Sequence, residues 1–224
     1  MAEQGLLTPR TIVAHAIYPD SHSWITWSTR DDIRLIAEAR ASLAHCPTPF
    51  VRYGAILESF GDYRDAGINI GIGTDTTPHN MLEEMRWACL LGKVAGRNLD
   101  AVMTSDVFNA ATIGGARALG RSDIGRLAPG AKADLVLIDL DDLSMQPTRD
   151  PLRVLLFHAA DRAVRDVYVD GELVVQDGET LNLDHRGALA KLREGQIRSE
   201  AAVPDLHWSG RGAEEISPLS LSRG

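Results

Sequence analysis

The sequence lacks the features that mark several classes of protein. Its two cysteines, Cys46 and Cys89, have no companion spacing, so we expect reduced core thiols rather than a disulfide or a cysteine-based zinc site. Aromatic residues make up only 5% of the chain. The apolar runs are far shorter than the roughly 20 residues of a membrane helix, and no signal-peptide profile opens the sequence. These absences predict a cytoplasmic protein with no membrane partner.

A basic patch is also missing. Acidic residues outnumber basic ones by 31 to 23, the formal net charge is −8, and lysine and arginine do not cluster, which argues against a nucleic-acid partner. Apolar residues make up 44% and charged residues 24% of the 224 residues. This composition is typical of a folded globular chain of one ordinary domain or two small ones.

Three short apolar runs, at 11–16, 41–46 and 69–75, are present in the first third of the chain. Near-continuous apolar runs of this length are typical of parallel strands covered on both faces. The intervening segments 29–40 and 55–66 have helical periodicity, with Thr29 as the expected cap of the first. The pattern predicts alternating strands and helices.

Polar residues lie at or near the end of each predicted strand: His15, His45 and Asp75, at regular intervals of 30 residues. In a closed β/α barrel, the strand ends on this side build the active site. A small open doubly wound sheet also presents its strand ends to a ligand, and the spacing alone does not separate the two folds. No glycine-rich phosphate motif follows a strand, so we discount a nucleotide-binding fold.

Several motifs together resemble the metal-dependent amidohydrolase superfamily, in particular its branch of cytosine deaminases, triazine hydrolases and adenosine-derivative deaminases. The resemblance extends from about residue 11 to residue 183. The motifs are GTD at 73–75, AHCP at 44–47, NAATIGGARALG at 109–120, IGRLAPGAKADLV at 124–136, and the segment from Asp150-Pro151 to VYVDG at 167–171.

The resemblance implies an α/β fold: a partial (β/α)8 TIM barrel with strands six to eight, followed by C-terminal β-sandwich strands. The barrel portion would be 1–120, the sandwich strands 121–183, and a terminal helix with a disordered tail 184–224. The family's His-x-His pair, its fifth-strand histidine and the nearby glutamate would precede residue 1. We therefore expect the C-terminal portion of an amidohydrolase, lacking the N-terminal metal ligands.

Two residues match catalytic positions of the family. Asp75 resembles the eighth-strand ligand of a divalent metal, Zn²⁺ first and Fe²⁺ as the alternative, which also takes a proton from the attacking water. His15 resembles the sixth-strand histidine that hydrogen-bonds the attacking hydroxide. From the residues alone, Asp75 is as readily a turn cap, and a lone histidine such as His15 is more often structural.

Three further histidines are candidates for substrate binding. His45 ends the second predicted strand, and the family gives it no firm catalytic role. His22 lies in the long loop 18–28 with Trp24 and Trp27, which either shapes a pocket or packs on the surface. His79 follows Asp75 closely.

The predicted function is metal-dependent hydrolysis of a C–N or C–halogen bond in a heterocyclic or amide small molecule. The alternative is a non-catalytic remnant or subunit that pairs with another polypeptide. Strands cut from a barrel would leave open edges and an apolar face with Ile12, Leu43 and Ile70. We therefore expect a homo-oligomer or a complex with the missing N-terminal half.

The remaining segments have simpler patterns. Asn80 is expected to cap a helix over 81–94, whose Glu83 and Glu84 would lie on a solvated face. Runs at 134–140, 167–169 and 173–175 predict strands, the last two joined by a tight turn at Asp170-Gly171. A helix is expected over 184–202 and disorder over 204–224.

Overall fold

A computed structural model describes residues 2–159 and 163–221 of the chain. The fold is mixed α/β. It divides into two compact units, one ending at Gly178 and the other beginning at Glu179. Among the described helices, none is both long enough and apolar enough to cross a membrane.

The first unit contains a parallel three-stranded sheet. Its strands are β1 (Ile12–Ala14), β2 (Ser42–His45) and β3 (Asn69–Ile72), in the order β1–β2–β3. The three predicted strands are confirmed, although each is shorter than its apolar run. In the register, Leu43 lies opposite Val13 on one side and opposite Ile70 on the other.

Helices follow each strand. They are α1 (Asp32–Glu38), α2 (Pro47–Val51), α3 (Phe60–Asp65) and α4 (Met81–Gly96). Leu43 and Ile70 lie in the core that these helices form with the sheet and are only 0% and 7% exposed, whereas Ile12 is 41% exposed. The expected apolar face is therefore largely covered. Cys46 and Cys89 are free and buried, as predicted.

The start of α1 differs from the expectation. The helix begins at Asp32, and Thr29 does not cap it. Instead, the buried carboxylate of Asp20 accepts hydrogen bonds from the amides of Asp31 and Asp32, at 2.7 and 3.4 Å. Because unpaired amides at a helix N-terminus need acceptors, the loop after β1 supplies the cap.

The cap of α4 is as predicted, since the Asn80 side chain accepts hydrogen bonds from the amides of Leu82 and Glu83. Further on, α5 (Thr104–Asn109), a π-helical turn (Ala110–Gly114) and α6 (Gly115–Ala118) run consecutively. A Cβ on Gly114 would lie 2.1 Å from the carbonyl oxygen of Ile70. The first glycine of the tandem pair therefore allows this turn to pack directly on β3.

Antiparallel strands complete the first unit. They are β4 (Leu135–Ile138), β5 (Val164–Val169) and β6 (Glu172–Gln176), and a 3-10 turn (Leu143–Met145) and α7 (Pro151–Phe157) lie between β4 and β5. The tight turn predicted between β5 and β6 is confirmed, because Asp170 and Gly171 both have positive φ, 52° and 86°, as hairpin turns require.

The second unit contains β7 (Glu179–Thr180), α8 (His185–Leu206) and α9 (Ala213–Ile216). The terminal helix is present and extends beyond its predicted end. Helix α9 lies inside the segment for which we predict disorder; the carboxylate of Glu215 accepts a hydrogen bond from the Gly212 amide at its start, at 2.8 Å. The division at residues 120 and 183 stays a prediction.

Candidate functional site

His15 and Asp75 meet beyond the carboxyl ends of the sheet strands. His15 directly follows β1, and Asp75 lies three residues after β3. His15 Nε2 is 3.6 Å from Asp75 Oδ2, somewhat longer than a normal hydrogen bond. Both residues have left-handed backbone conformations, with φ of 62° and 55°. Such conformations are uncommon for residues other than glycine and are concentrated at functional sites.

The His15 ring is held on one side and open on the other. It packs edge-to-face against Phe50, with ring centroids 4.9 Å apart. Its Nδ1 atom is buried without a hydrogen-bond partner. The side chain is 29% exposed and that of Asp75 is 50% exposed. The pair therefore combines a carboxylate with an imidazole at a surface that a ligand can reach.

His45 ends β2, between the strands that precede His15 and Asp75. It is 4% exposed and its ring packs against Phe60 at 6.0 Å. Burial, and next the charge of His15, lower the pKa of His45 to about 3. Its imidazole is therefore neutral at physiological pH, and its Nδ1 atom has no hydrogen-bond partner.

The two other candidate histidines lie in loops. His22 is 3% exposed, its Nδ1 accepts a hydrogen bond from the Trp24 amide at 3.0 Å, and its Nε2 lies 3.7 Å from Glu58 Oε1. Both ring nitrogens thus face protein atoms, an arrangement that holds the loop. His79 is exposed, and its Nδ1 lies 2.9 Å from Thr74 Oγ1, beside Asp75.

The thiol of Cys46 is close to the site and is buried. Burial is the main cause that raises its pKa to about 11, and the charge of Asp75 contributes. A buried thiol with this pKa is protonated at neutral pH, as is usual for a cysteine in a protein core. This agrees with the interpretation from the sequence.

Glu84 is the residue that the sequence interpretation placed wrongly. It is 0% exposed, not solvated, and its Oε2 accepts a hydrogen bond from the Thr48 amide at 3.0 Å. The helical periodicity of α4 could have revealed this burial. Buried residues of α4 recur at positions 84, 85, 88, 89 and 92, so Glu84 shares the apolar face.

The described residues do not fit a complete metal centre. A catalytic zinc is normally held by three protein ligands, and residues 2–159 and 163–221 contain no group of three or more His, Cys, Asp or Glu side chains that could hold an ion. The half-exposed carboxylate of Asp75 fits one oxygen ligand.

Comparisons with known proteins identify relatives of this chain. A 5-methylthioadenosine/S-adenosylhomocysteine deaminase of Natronomonas pharaonis is 36% identical over 186 residues, which are 81% of this chain and 41% of that protein. A second such deaminase, from Pyrococcus abyssi, is 34% identical over 88% of this chain and 45% of its own length. The chain therefore spans less than half the length of these curated relatives.

Solved structures also match most of this chain and less than half of their own length. An adenosine deaminase from Xanthomonas campestris with bound zinc superposes with a TM-score of 0.78 and 31% identity over 88% of this chain and 44% of that one. An atrazine chlorohydrolase from Arthrobacter aurescens in complex with zinc gives 0.76 and 28% identity over 86% and 42%. The model of the amidohydrolase family matches residues 1–174. Since that match covers most of the chain, the protein belongs to the amidohydrolase family.

Proposed function

We propose that these residues form the last three strands of a (β/α)8 amidohydrolase barrel, followed by strands of the C-terminal β-sandwich. Three findings support this: the parallel order β1–β2–β3, helices after each strand, and polar residues at the carboxyl ends. This chain matches between 41% and 45% of the length of each relative and solved structure named above. Such a share agrees with a portion of the barrel.

The proposed reaction is hydrolysis of a C–N bond, or of a C–halogen bond, at a ring carbon of a heterocyclic small molecule. The names of the relatives support this substrate class. The deaminases are named for adenosine compounds and the chlorohydrolase for atrazine, and all of these contain nitrogen heterocycles. The single observation that carries the proposal is the proximity of His15 Nε2 to Asp75 Oδ2, 3.6 Å.

In this proposal, Asp75 would be one ligand of a divalent metal, Zn²⁺ first, and its carboxylate would accept a proton from the attacking water. A bound zinc ion lowers the pKa of water to near neutrality and polarises the group under attack. The His15 imidazole would donate a hydrogen bond to the oxygen on which negative charge develops. Two further histidines are proposed to contact or orient the substrate. His45 is neutral and buried, and His79 lies on the loop of Asp75.

The other metal ligands are proposed to come from polypeptide outside the described residues. Whether that polypeptide is part of a longer chain, a second copy or a different subunit, it would pair with the edges of the parallel sheet. The lack of a three-ligand group within the described part of the chain favours a second candidate, a non-catalytic subunit that only completes another barrel.

An activity assay separates the two candidates. The chain carries a tag at Gly224, is purified from its native cells together with any chain that accompanies it, and is incubated with Zn²⁺ and 5′-methylthioadenosine, adenosine or atrazine. Metal-dependent release of ammonia or chloride that is lost in Asp75→Asn supports the hydrolase. Release that is unchanged in Asp75→Asn would favour the non-catalytic subunit.

A further inference from the structure

Glu84 is an ionisable side chain in an environment that does not suit a charge. It lies on the inner face of α4 and is completely buried. A carboxylate in such a place is costly unless cations or several hydrogen bonds compensate for its lost hydration. Its surroundings therefore decide its protonation state.

The hydrogen bonds of Glu84 are few. Oε2 accepts one, from the Thr48 amide at 3.0 Å. The other oxygen, Oε1, is buried and has no partner, and the Oγ1 atom of Thr48 is also buried and unpartnered. The two orphaned atoms belong to residues that are already joined, and the Thr48 side chain is close enough to Glu84 to affect its pKa. A hydrogen bond between the two atoms would satisfy both.

The charged groups near Glu84 do not neutralise it. Arg52, on the turn after α2, is exposed and donates to the Thr77 carbonyl at 2.6 Å, so it interacts with Glu84 only at a distance. Glu83, its neighbour on α4, is a like charge, and the Cys46 thiol is neutral. Burial is the main cause that raises the pKa of Glu84. The hydroxyl and amide of Thr48 and the distant charge of Arg52 act in the opposite direction, but burial outweighs them and favours the neutral acid.

We propose that Glu84 is a protonated carboxylic acid in the folded protein, which accepts a hydrogen bond from Thr48 N–H and donates one to Thr48 Oγ1. Thr48 is the second residue of α2, and Cys46, the N-cap residue of that helix, makes no side-chain cap. The carboxyl group of Glu84 therefore takes the place of the missing cap.

This pair of hydrogen bonds fixes the turn after β2. Thr48 is three residues from His45, and α4 follows the loop that carries Asp75. Glu84 is thus a positioning residue that connects the ends of β2 and β3 through Thr48. Its relevance to catalysis rests on the proposed function, but its chemical state does not and is tested without any substrate.

The test compares Glu84→Gln with Glu172→Gln, a change at an exposed glutamate of β6, as the control. The side-chain amide introduced by Glu84→Gln reproduces both hydrogen bonds of the neutral acid. In the unmodified chain, a raised folded-state pKa makes stability fall as pH rises above about 4.5, the ordinary glutamate value, and Glu84→Gln removes this loss. We expect Glu84→Gln to raise the melting temperature at pH 7.5 by at least roughly 2 to 4 °C and to change it less at pH 4.5.

The opposite sign would overturn the proposal. If Glu84 is ionised and Thr48 donates its hydroxyl to it, Glu84→Gln loses two charge-assisted bonds and melts at a lower temperature at pH 7.5. A second measurement does not depend on a variant. In the unmodified chain with ¹³C-labelled glutamate, one carboxyl carbon should titrate well above the others. Titration of every glutamate below about pH 5, as ordinary glutamates do, would refute the neutral acid.

Discussion

His15 Nε2 lies 3.6 Å from Asp75 Oδ2 although the two residues follow strands β1 and β3, which do not pair with each other. The parallel register of both strands with β2 brings the two loops to the same edge of the sheet. A carboxylate and an imidazole that are 60 residues apart in the sequence are thereby placed side by side, and each can be tested separately.

Replacement of His15 by asparagine should lower turnover without loss of metal. Asparagine tolerates the left-handed backbone that His15 adopts, so the change removes the imidazole and leaves the turn intact. In the catalytically competent assembly, we expect a loss of kcat of about 10²-fold with an unchanged zinc content. Arg40→Asn, at an exposed residue with φ of 53°, is the matched control. Near-normal turnover of His15→Asn would make the role of His15 structural.

The burial of His45 predicts a loss of stability in acid. Its pKa is lowered to about 3, whereas an unfolded histidine titrates near 6.5. Between these values the unfolded chain binds more protons, so the free energy of unfolding falls as pH decreases, by at most about 1.4 kcal/mol per pH unit for this group. Urea unfolding from pH 7 to pH 4 should show a shallower slope for His45→Gln. An unchanged slope would mean that His45 is not buried as the structure shows.

The tandem glycines at 114 and 115 should differ in their tolerance of a methyl group. A Cβ on Gly114 would lie 2.1 Å from the Ile70 carbonyl oxygen, whereas the nearest atom to a Cβ on Gly115 is 4.0 Å away. Gly114→Ala should therefore lower the free energy of unfolding by about 1 to 3 kcal/mol, measured by urea titration. Gly115→Ala is the control and should cost much less. Equal effects of the two would contradict the close packing of this turn on β3.

The edges of the parallel sheet predict association. Within the described residues, β1 and β3 each pair only with β2, and unpaired strand edges promote pairing with other chains. Since Leu43 and Ile70 are buried, the edges rather than an apolar face should drive it. Light scattering on the dilute purified chain should show oligomers or bound companions. A monodisperse monomer that melts cooperatively would show that the edges are protected.

The sequence predicted the features that depend on local patterns and missed most of those that depend on contacts between distant residues. Continuous apolar runs identified the three strands, and Asn80 was recognisable as a cap because its acceptor and the amides are adjacent in sequence. The Asp20 cap of α1 was missed because the loop returns from a distance. Glu84 was assigned to the solvated face because it is charged, although its position in the helical repeat is on the buried face. Its partner Thr48 lies on another helix. The meeting of His15 with Asp75 was expected from strand spacing, but their 3.6 Å separation needed the structure.

The most direct test of the account is the zinc content and turnover of Asp75→Asn in the assembly purified through a tag at Gly224. Asparagine keeps the size and the left-handed backbone of Asp75 and removes only the charge. The account predicts that the unmodified assembly binds zinc and hydrolyses a heterocyclic substrate. Asp75→Asn should lose zinc and at least about 10²-fold in kcat. Retention of both zinc and turnover by Asp75→Asn would contradict the central claim.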